Sequence, residues 1–187
     1  LLVDWFDLVW DSGVIEEEYI RVFIQDCAKA GFSKLYWRVS VIGTFAYYTK
    51  IERVYGGDVR EGSKVVVEAL TRYDPLRLAV KYGHEYGLEV HPWVAMYDEG
   101  FWPPESCYAN LIPNDDPLTA ENESWSLYTL FAREHPEFLW ESRTGKRTGR
   151  CLSLAYPEVR SYRMALLKEL LEYGVDGLFL DFCRWPI

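Results

Sequence analysis

The feature that most constrains this sequence is a repeated exchange of strand-like and helix-like segments, with glycines closing the helices. Leu1 to Leu8 is apolar enough for a first strand. A helix pattern follows from about Ile15 to Ala30, where Ile15, Tyr19, Val22, Phe23 and Cys27 recur at helical spacing. Ser12 is placed to cap it, and Glu16, Glu17 and Glu18 suit the positive end of its dipole. Gly31 ends it. Lys34 to Val41 reads as a strand with Leu35, Trp37, Val39 and Val41 on one face and Tyr36, Arg38 and Ser40 on the other. Asp74-Pro75 opens a second helix as N-cap and first helical residue, with Leu76, Ala79, Val80 and Gly83 inward and Gly87 as the stop. A third strand, Leu88 to Met96, carries His91 and Trp93 on the same side. A last helix spans about Pro157 to Tyr173, Gly174 ends it, and Asp176 to Asp181 is the fourth strand.

The order βαβαβαβ predicts an α/β fold of parallel strands joined by right-handed crossovers. Each strand-to-helix connection is longer than the return from helix to strand. In such sheets the ligand site lies at the carboxyl ends of the strands, where the longer connections sit. One connection carries Gly56, Gly57 and Gly62. Another runs from Tyr97 to Ser153, is rich in Pro, Asn, Asp and aromatics, and has room for a short helix over 124–133. Connections of that length in a compact domain are usually functional.

Charge narrows the partners. Twenty basic against 29 acidic residues give a net charge of -9, which argues against nucleic acid or an anionic membrane as the main partner. No apolar run approaches the ~20 residues of a membrane span. The opening Leu1-Leu2-Val3-Asp4 shows no signal-peptide pattern. Aromatic content is 17%, with 8 Trp and 14 Tyr, enough to supply both a core and ligand-stacking faces. Cys27, Cys107, Cys151 and Cys183 form no CxxC pair and read as mostly reduced and structural.

Asp181 is the first candidate for chemistry. It ends an apolar strand and shares a face with Gly177 and Phe179, so its carboxylate sits at the rim of the strand ends. An acid there can serve as nucleophile or general base. It can equally be a cap, a turn former or an ion-pair partner of Arg184. Arg38 needs a carboxylate or a ligand anion, and Asp4 or Asp181 would supply one. His91 and Trp93 project together, His91 as a hydroxyl donor, a proton carrier or a satisfied core histidine. Trp102, Tyr108, Trp125 and Trp140 on the long connection can stack on a pyranose or pack that segment's own core.

Other patterns fall away. Gly57 to Lys64 mimics a phosphate loop but ends Ser-Lys rather than Lys-Ser/Thr. His84-Glu85 begins a zinc-protease motif, yet position 88 is Leu88. Three histidines make a multi-His metal site a poor expectation, and no metal or organic cofactor is implied. Asn122-Glu123-Ser124 is a glycosylation sequon that matters only in a secreting eukaryote.

Taken in order, several segments resemble the glycosyl hydrolase-like 10 family. Val175-Asp176-Gly177-Leu178-Phe179-Leu180-Asp181-Phe182-Cys183-Arg184-Trp185-Pro186 is similar to its fourth-strand signature. Ala30-Gly31-Phe32 with Leu35-Tyr36-Trp37-Arg38 looks like its second-strand stretch. Gly87-Leu88-Glu89-Val90-His91-Pro92-Trp93 resembles its "GLEVHAW" run. Gly43 through Lys50, Tyr73-Asp74-Pro75-Leu76, His135-Pro136-Glu137-Phe138 and Tyr156-Pro157-Glu158-Val159-Arg160 match further family segments. Phe182 departs from the pattern, standing where the family often has a second acid.

That resemblance implies a (β/α)₈ TIM barrel that hydrolyses O-glycosidic bonds of a poly- or oligosaccharide. Asp181 would be the strand-four nucleophile or stabiliser, and Arg38, Tyr47, His91, Trp93, Asp98, Trp102 and Arg184 would line the substrate. A pair of carboxylates is normally needed. Asp98 and Glu99 are candidates within the chain for the second acid, and the resemblance points to a later strand instead. The alternatives are a non-catalytic carbohydrate-binding relative and another barrel enzyme such as a lyase or aldolase. An extracellular or cell-envelope location is what the resemblance favours. A (β/α)₈ barrel takes ~250 residues, so the 187 residues are expected to form its N-terminal half as one unit, 1–187, with an open apolar edge.

Overall fold

The computed structural model describes residues 1–14, 16–41, 43–56, 63–100, 129–141, 143, 145 and 147–182. Four parallel strands form the central sheet: β1 (Leu2–Val3), β2 (Lys34–Arg38), β5 (Glu89–Ala95) and β8 (Phe179–Asp181). Their order in the sheet is their order in the chain. Right-handed crossovers that always step the same way put every connecting helix on one face of a sheet. Two small antiparallel pairs are the other strands among the described residues, β3 (Ser40–Val41) with β4 (Thr44–Phe45) and β6 (Leu139–Glu141) with β7 (Arg147–Leu152).

The helices are α1 (Trp5–Ser12), α2 (Glu17–Lys29), α3 (Ser63–Arg72), α4 (Pro75–Glu85), α5 (Leu130–Glu134) and α6 (Pro157–Leu171). α2 packs on α4, and α4 lies on β2 and β5. Leu35, Trp37, Val90 and Val94 point to this side and are buried with Ile20, Ile24, Leu76 and Ala79. Each of the buried Val, Leu and Ile side chains among them stabilises the fold by roughly 1.5–3 kcal/mol. Gly83 is required where α4 meets β5, because a Cβ there would lie 2.3 Å from Val90 Cγ2. Asp74 caps α4 as its sequence indicates, accepting from Leu76 N at 3.0 Å and Arg77 N at 3.2 Å.

The structure corrects several sequence expectations. The apolar run Leu1 to Leu8 is a strand only at Leu2–Val3, and Asp4 then caps α1 by accepting from Phe6 N at 3.1 Å. Trp5, Phe6 and Val9 fall on one buried helical stripe, so helical burial wins over extension. Ser12 caps nothing at α2: its Oγ donates to Leu8 O at 2.7 Å at the end of α1. α2 begins instead after Glu16, without a side-chain cap. The glycine-containing connection holds α3, and the connection after β5 holds the β6–β7 pair. Of the helix expected over 124–133, positions 124–128 lie outside the described residues, and the described helix there is Leu130–Glu134. Cys27 and Cys151 are buried, and among the described residues no helix is long and apolar enough to cross a membrane.

Candidate active site

The second face of the sheet carries the polar and aromatic side chains. Register pairs Leu2 with Tyr36 and Tyr36 with His91, then Arg38 with Trp93 and Trp93 with Phe179, then Ala95 with Asp181. Partners in register project to the same side, so this face is built in rows that climb from the amino to the carboxyl ends of the strands. Tyr36 lies edge-on to His91 at 5.6 Å and against Phe179 at 4.9 Å, and Trp93 meets Phe179 at 6.1 Å between ring centroids.

Near the carboxyl end, four side chains link in series. Asp4, just beyond β1, forms an ion pair with Arg38. Arg38 also donates from Nε to Ser40 O at 3.0 Å, and its guanidinium sits 5.3 Å from the centre of the Trp93 ring. Trp93 Nε1 donates to Asp181 Oδ2 at 3.0 Å. Arg38 and Trp93 are buried, while Asp181 is half-buried at the end of β8. Of the two partners the sequence offered Arg38, the ion pair therefore goes to Asp4, and Asp181 is reached through the indole between them. Beyond the strand ends, Tyr97 packs against Trp140 and against Phe182, each at 5.7 Å. Phe182 is exposed beside Asp181.

His91 and Trp93 share a side but not a level. His91 lies one row lower, above Gly177, whose added Cβ would fall 2.6 Å from the imidazole ring. Its Nε2 is 3.0 Å from Glu89 Oε2, and Glu89 pairs with Lys34 at 2.9 Å. Lys34 first, and His91 after it, hold the Glu89 carboxyl below its usual value. Tyr47 lies apart from the sheet face: it is fully buried and its hydroxyl donates to Glu169 Oε2 of α6 at 3.0 Å. Burial foremost, with the Glu169 charge, pushes the Tyr47 phenol far up. Trp102 and Arg184 lie outside the described residues, as do Tyr108, Trp125, Cys107 and Cys183.

Asp98 and Glu99 follow β5 and both are buried. Asp98 O accepts from Gly43 N at 3.1 Å. Glu99 is fully enclosed, ion-paired with Arg163 of α6, and accepts from Thr129 Oγ1 at 3.0 Å. Burial pushes the Arg163 guanidinium down to about 10, against the opposing pull of the Glu52 and Asp98 charges. Glu52 accepts from Leu130 N at 2.7 Å, Phe131 N at 3.1 Å and the Tyr162 hydroxyl at 2.8 Å. Thr129 N also donates to Glu99 O at 2.9 Å, which ties the start of α5 to the end of β5. Glu52, Arg163 and Thr129 carry no sequence motif that announces this cluster. Among the described residues, no group of His, Cys, Asp and Glu could hold a metal ion.

No protein-family model matches this chain, and no curated protein does. A hypothetical protein from Ruminiclostridium thermocellum ATCC 27405 matches structurally over 100% of this chain and 78% of its own, with a TM-score of 0.59 at 12% identity. What they share is a fold. A noncanonic maltogenic alpha-amylase from Thermotoga neapolitana is similar at a TM-score of 0.46, 12% identity and 89% of this chain. An alpha-amylase from Lactobacillus plantarum is similar at 0.46, 16% and 89%. The matched region spans only 36% and 34% of those two amylases, and likeness at that level carries no argument about activity here.

Proposed function

We propose that the four-stranded sheet belongs to a (β/α)₈-type barrel of glycosidase character, with Asp181 acting on a glycosidic bond as nucleophile or as stabiliser of an oxocarbenium-like transition state. The observation that supports this reading most is the setting of Asp181. It is a half-buried carboxylate at the carboxyl end of a parallel strand, held by an indole N–H and set above a face of aromatic rings. Parallel α/β barrels gather their catalytic groups at that end. A strand order that never reverses suits a singly wound barrel, whereas a doubly wound sheet has a switch point. The ring of Phe182, exposed at the rim, and those of Tyr97 and Trp140 behind it suit the apolar face of a pyranose. The similarity to the glycosyl hydrolase-like 10 family points to the same substrate class.

Release of reducing ends from a panel of poly- and oligosaccharides tests the proposal. Asp181→Asn should lower turnover on the order of 10²–10⁴-fold while glycan binding persists. Equal turnover in wild type and variant would remove Asp181 from the chemistry. A second reading, a barrel relative that binds carbohydrate without cleaving it, draws on one observation: Glu99, one of the two within-chain candidates for the second acid, is enclosed and paired to Arg163. Glycoside hydrolysis normally needs two carboxylates. Wild type that binds glycans and never cleaves them would favour that second reading.

A further inference from the structure

We infer that Trp93 is a positioning residue for Asp181, not a platform for sugar stacking. This rests on the proposed role of Asp181 and goes beyond it by assigning the group that sets its orientation.

Three observations converge on the indole. Its one polar hydrogen is directed at Asp181 Oδ2 at 3.0 Å. The Arg38 guanidinium lies 5.3 Å from the ring centre and is itself tied down by Asp4 and by Ser40 O. Phe179 packs against the same ring at 6.1 Å. A ring held in this way has little rotamer freedom, and it is buried, with 9% exposure. A stacking platform must offer a face to its sugar. Here neighbouring side chains take up the ring, and its edge is spent on the carboxylate. Tyr36 on β2 and Phe182 beyond β8 leave more ring surface open than Trp93 does.

The chemistry follows from the donor. An N–H aimed at a charged carboxylate is a charge-assisted bond, stronger than a neutral one. It fixes the carboxyl rotamer without adding a charge of its own. A reacting carboxylate held near its productive geometry loses less on reaching the transition state, and a misplacement of about 1 Å can cost ~100-fold. Arg38 meets the indole on its face, 5.3 Å from the ring centre. It acts through the ring, where the cation is attracted to the π-face and fixes the plane of the indole.

Trp93→Phe keeps an aromatic ring and removes the N–H. If Trp93 positions Asp181, kcat on a cleaved glycan falls roughly 10- to 100-fold while KM stays within about twofold. If Trp93 is a stacking platform, KM rises and kcat holds, and the inference is overturned. A second measurement needs no hydrolysis. The eight tryptophans give eight indole N–H cross-peaks in a ¹H–¹⁵N spectrum, and the peak missing from Trp93→Phe identifies Trp93. In Asp181→Asn that peak should move upfield, because a neutral amide replaces the charged acceptor. An unmoved peak overturns the inference, and should Trp93→Phe not fold, the peak can be assigned in wild type by sequential connectivity. A wild type that cleaves no glycan while the peak moves would sink the glycosidase reading and leave the positioning contact standing.

Discussion

Trp93 and His91 stand on one strand, face the same side and are separated only by Pro92, yet from adjacent rows they link to opposite ends of the sheet. At the carboxyl end, Trp93 links a buried ion pair to Asp181. The side chains of Arg38 and Asp4 there are 9% and 16% exposed. At the amino end, His91 and Lys34 share Glu89, whose side chain is 54% exposed. Both ends combine a ring with an ion pair. They differ in how much water reaches the charges. Breaking a buried pair strands a charge, whereas an exposed pair is worth little because solvent already screens it. The carboxyl end is thus held in one geometry, and the amino end is a solvated closure of the sheet.

Three substitutions press on that contrast. Asp4→Ala should have the largest effect. It leaves Arg38 buried without its partner and uncaps α1, for a loss of about 3–5 kcal/mol in unfolding free energy by urea denaturation. A loss below ~1 kcal/mol would mean that water screens both ends alike. Gly177→Ala comes next. Its Cβ would press on the His91 ring, and overpacking of that kind costs about 1–3 kcal/mol. Adding His91→Ala should recover most of the loss. If it does not, the strain lies elsewhere than in that row.

Lys34→Met should matter least. Glu89 titrates below its ordinary value of 4.5 in the folded chain, chiefly through Lys34. A lowered folded value contributes stability above the unfolded value, and that contribution is lost as pH falls through the folded one. Wild type and Lys34→Met should therefore differ slightly at pH 7, and the gap should close as pH drops below about 4.5. Added salt should shrink it as well. A gap that widens in acid would show that Lys34 works through some other partner.

Much of the frame can be read from residue spacing. Asp74-Pro75, Gly87 and Gly174 punctuate the chain at places where a cap or a left-handed backbone is needed, and two-residue alternation sorts Tyr36, Arg38, His91, Trp93, Phe179 and Asp181 onto one face. Alternation tells side and not height, so the sequence groups His91 with Trp93 although they work a row apart. The helix α1 was hidden because its buried stripe of Trp5, Phe6 and Val9 gives an apolar run as dense as a strand's. Ser12 is a capping type of residue at the wrong end of a helix. α3 lies hidden behind Val65, Val66 and Val67, whose β-branched side chains give little helix signal. The pairing of Glu99 with Arg163 joins distant parts of the chain, and no local pattern marks it.

The hydrogen bond between Glu99 and Thr129 bears on how the chain tolerates a change in length. Glu99 and Thr129 meet through a backbone hydrogen bond, with Arg163 of α6 paired to Glu99 and Glu52 held across the start of α5. The entropy of closing a chain segment between two fixed ends grows slowly with its length, by about 0.6 kcal/mol for each doubling. Lengthening or replacing the segment therefore places little load on the sheet, provided its two anchor residues stay.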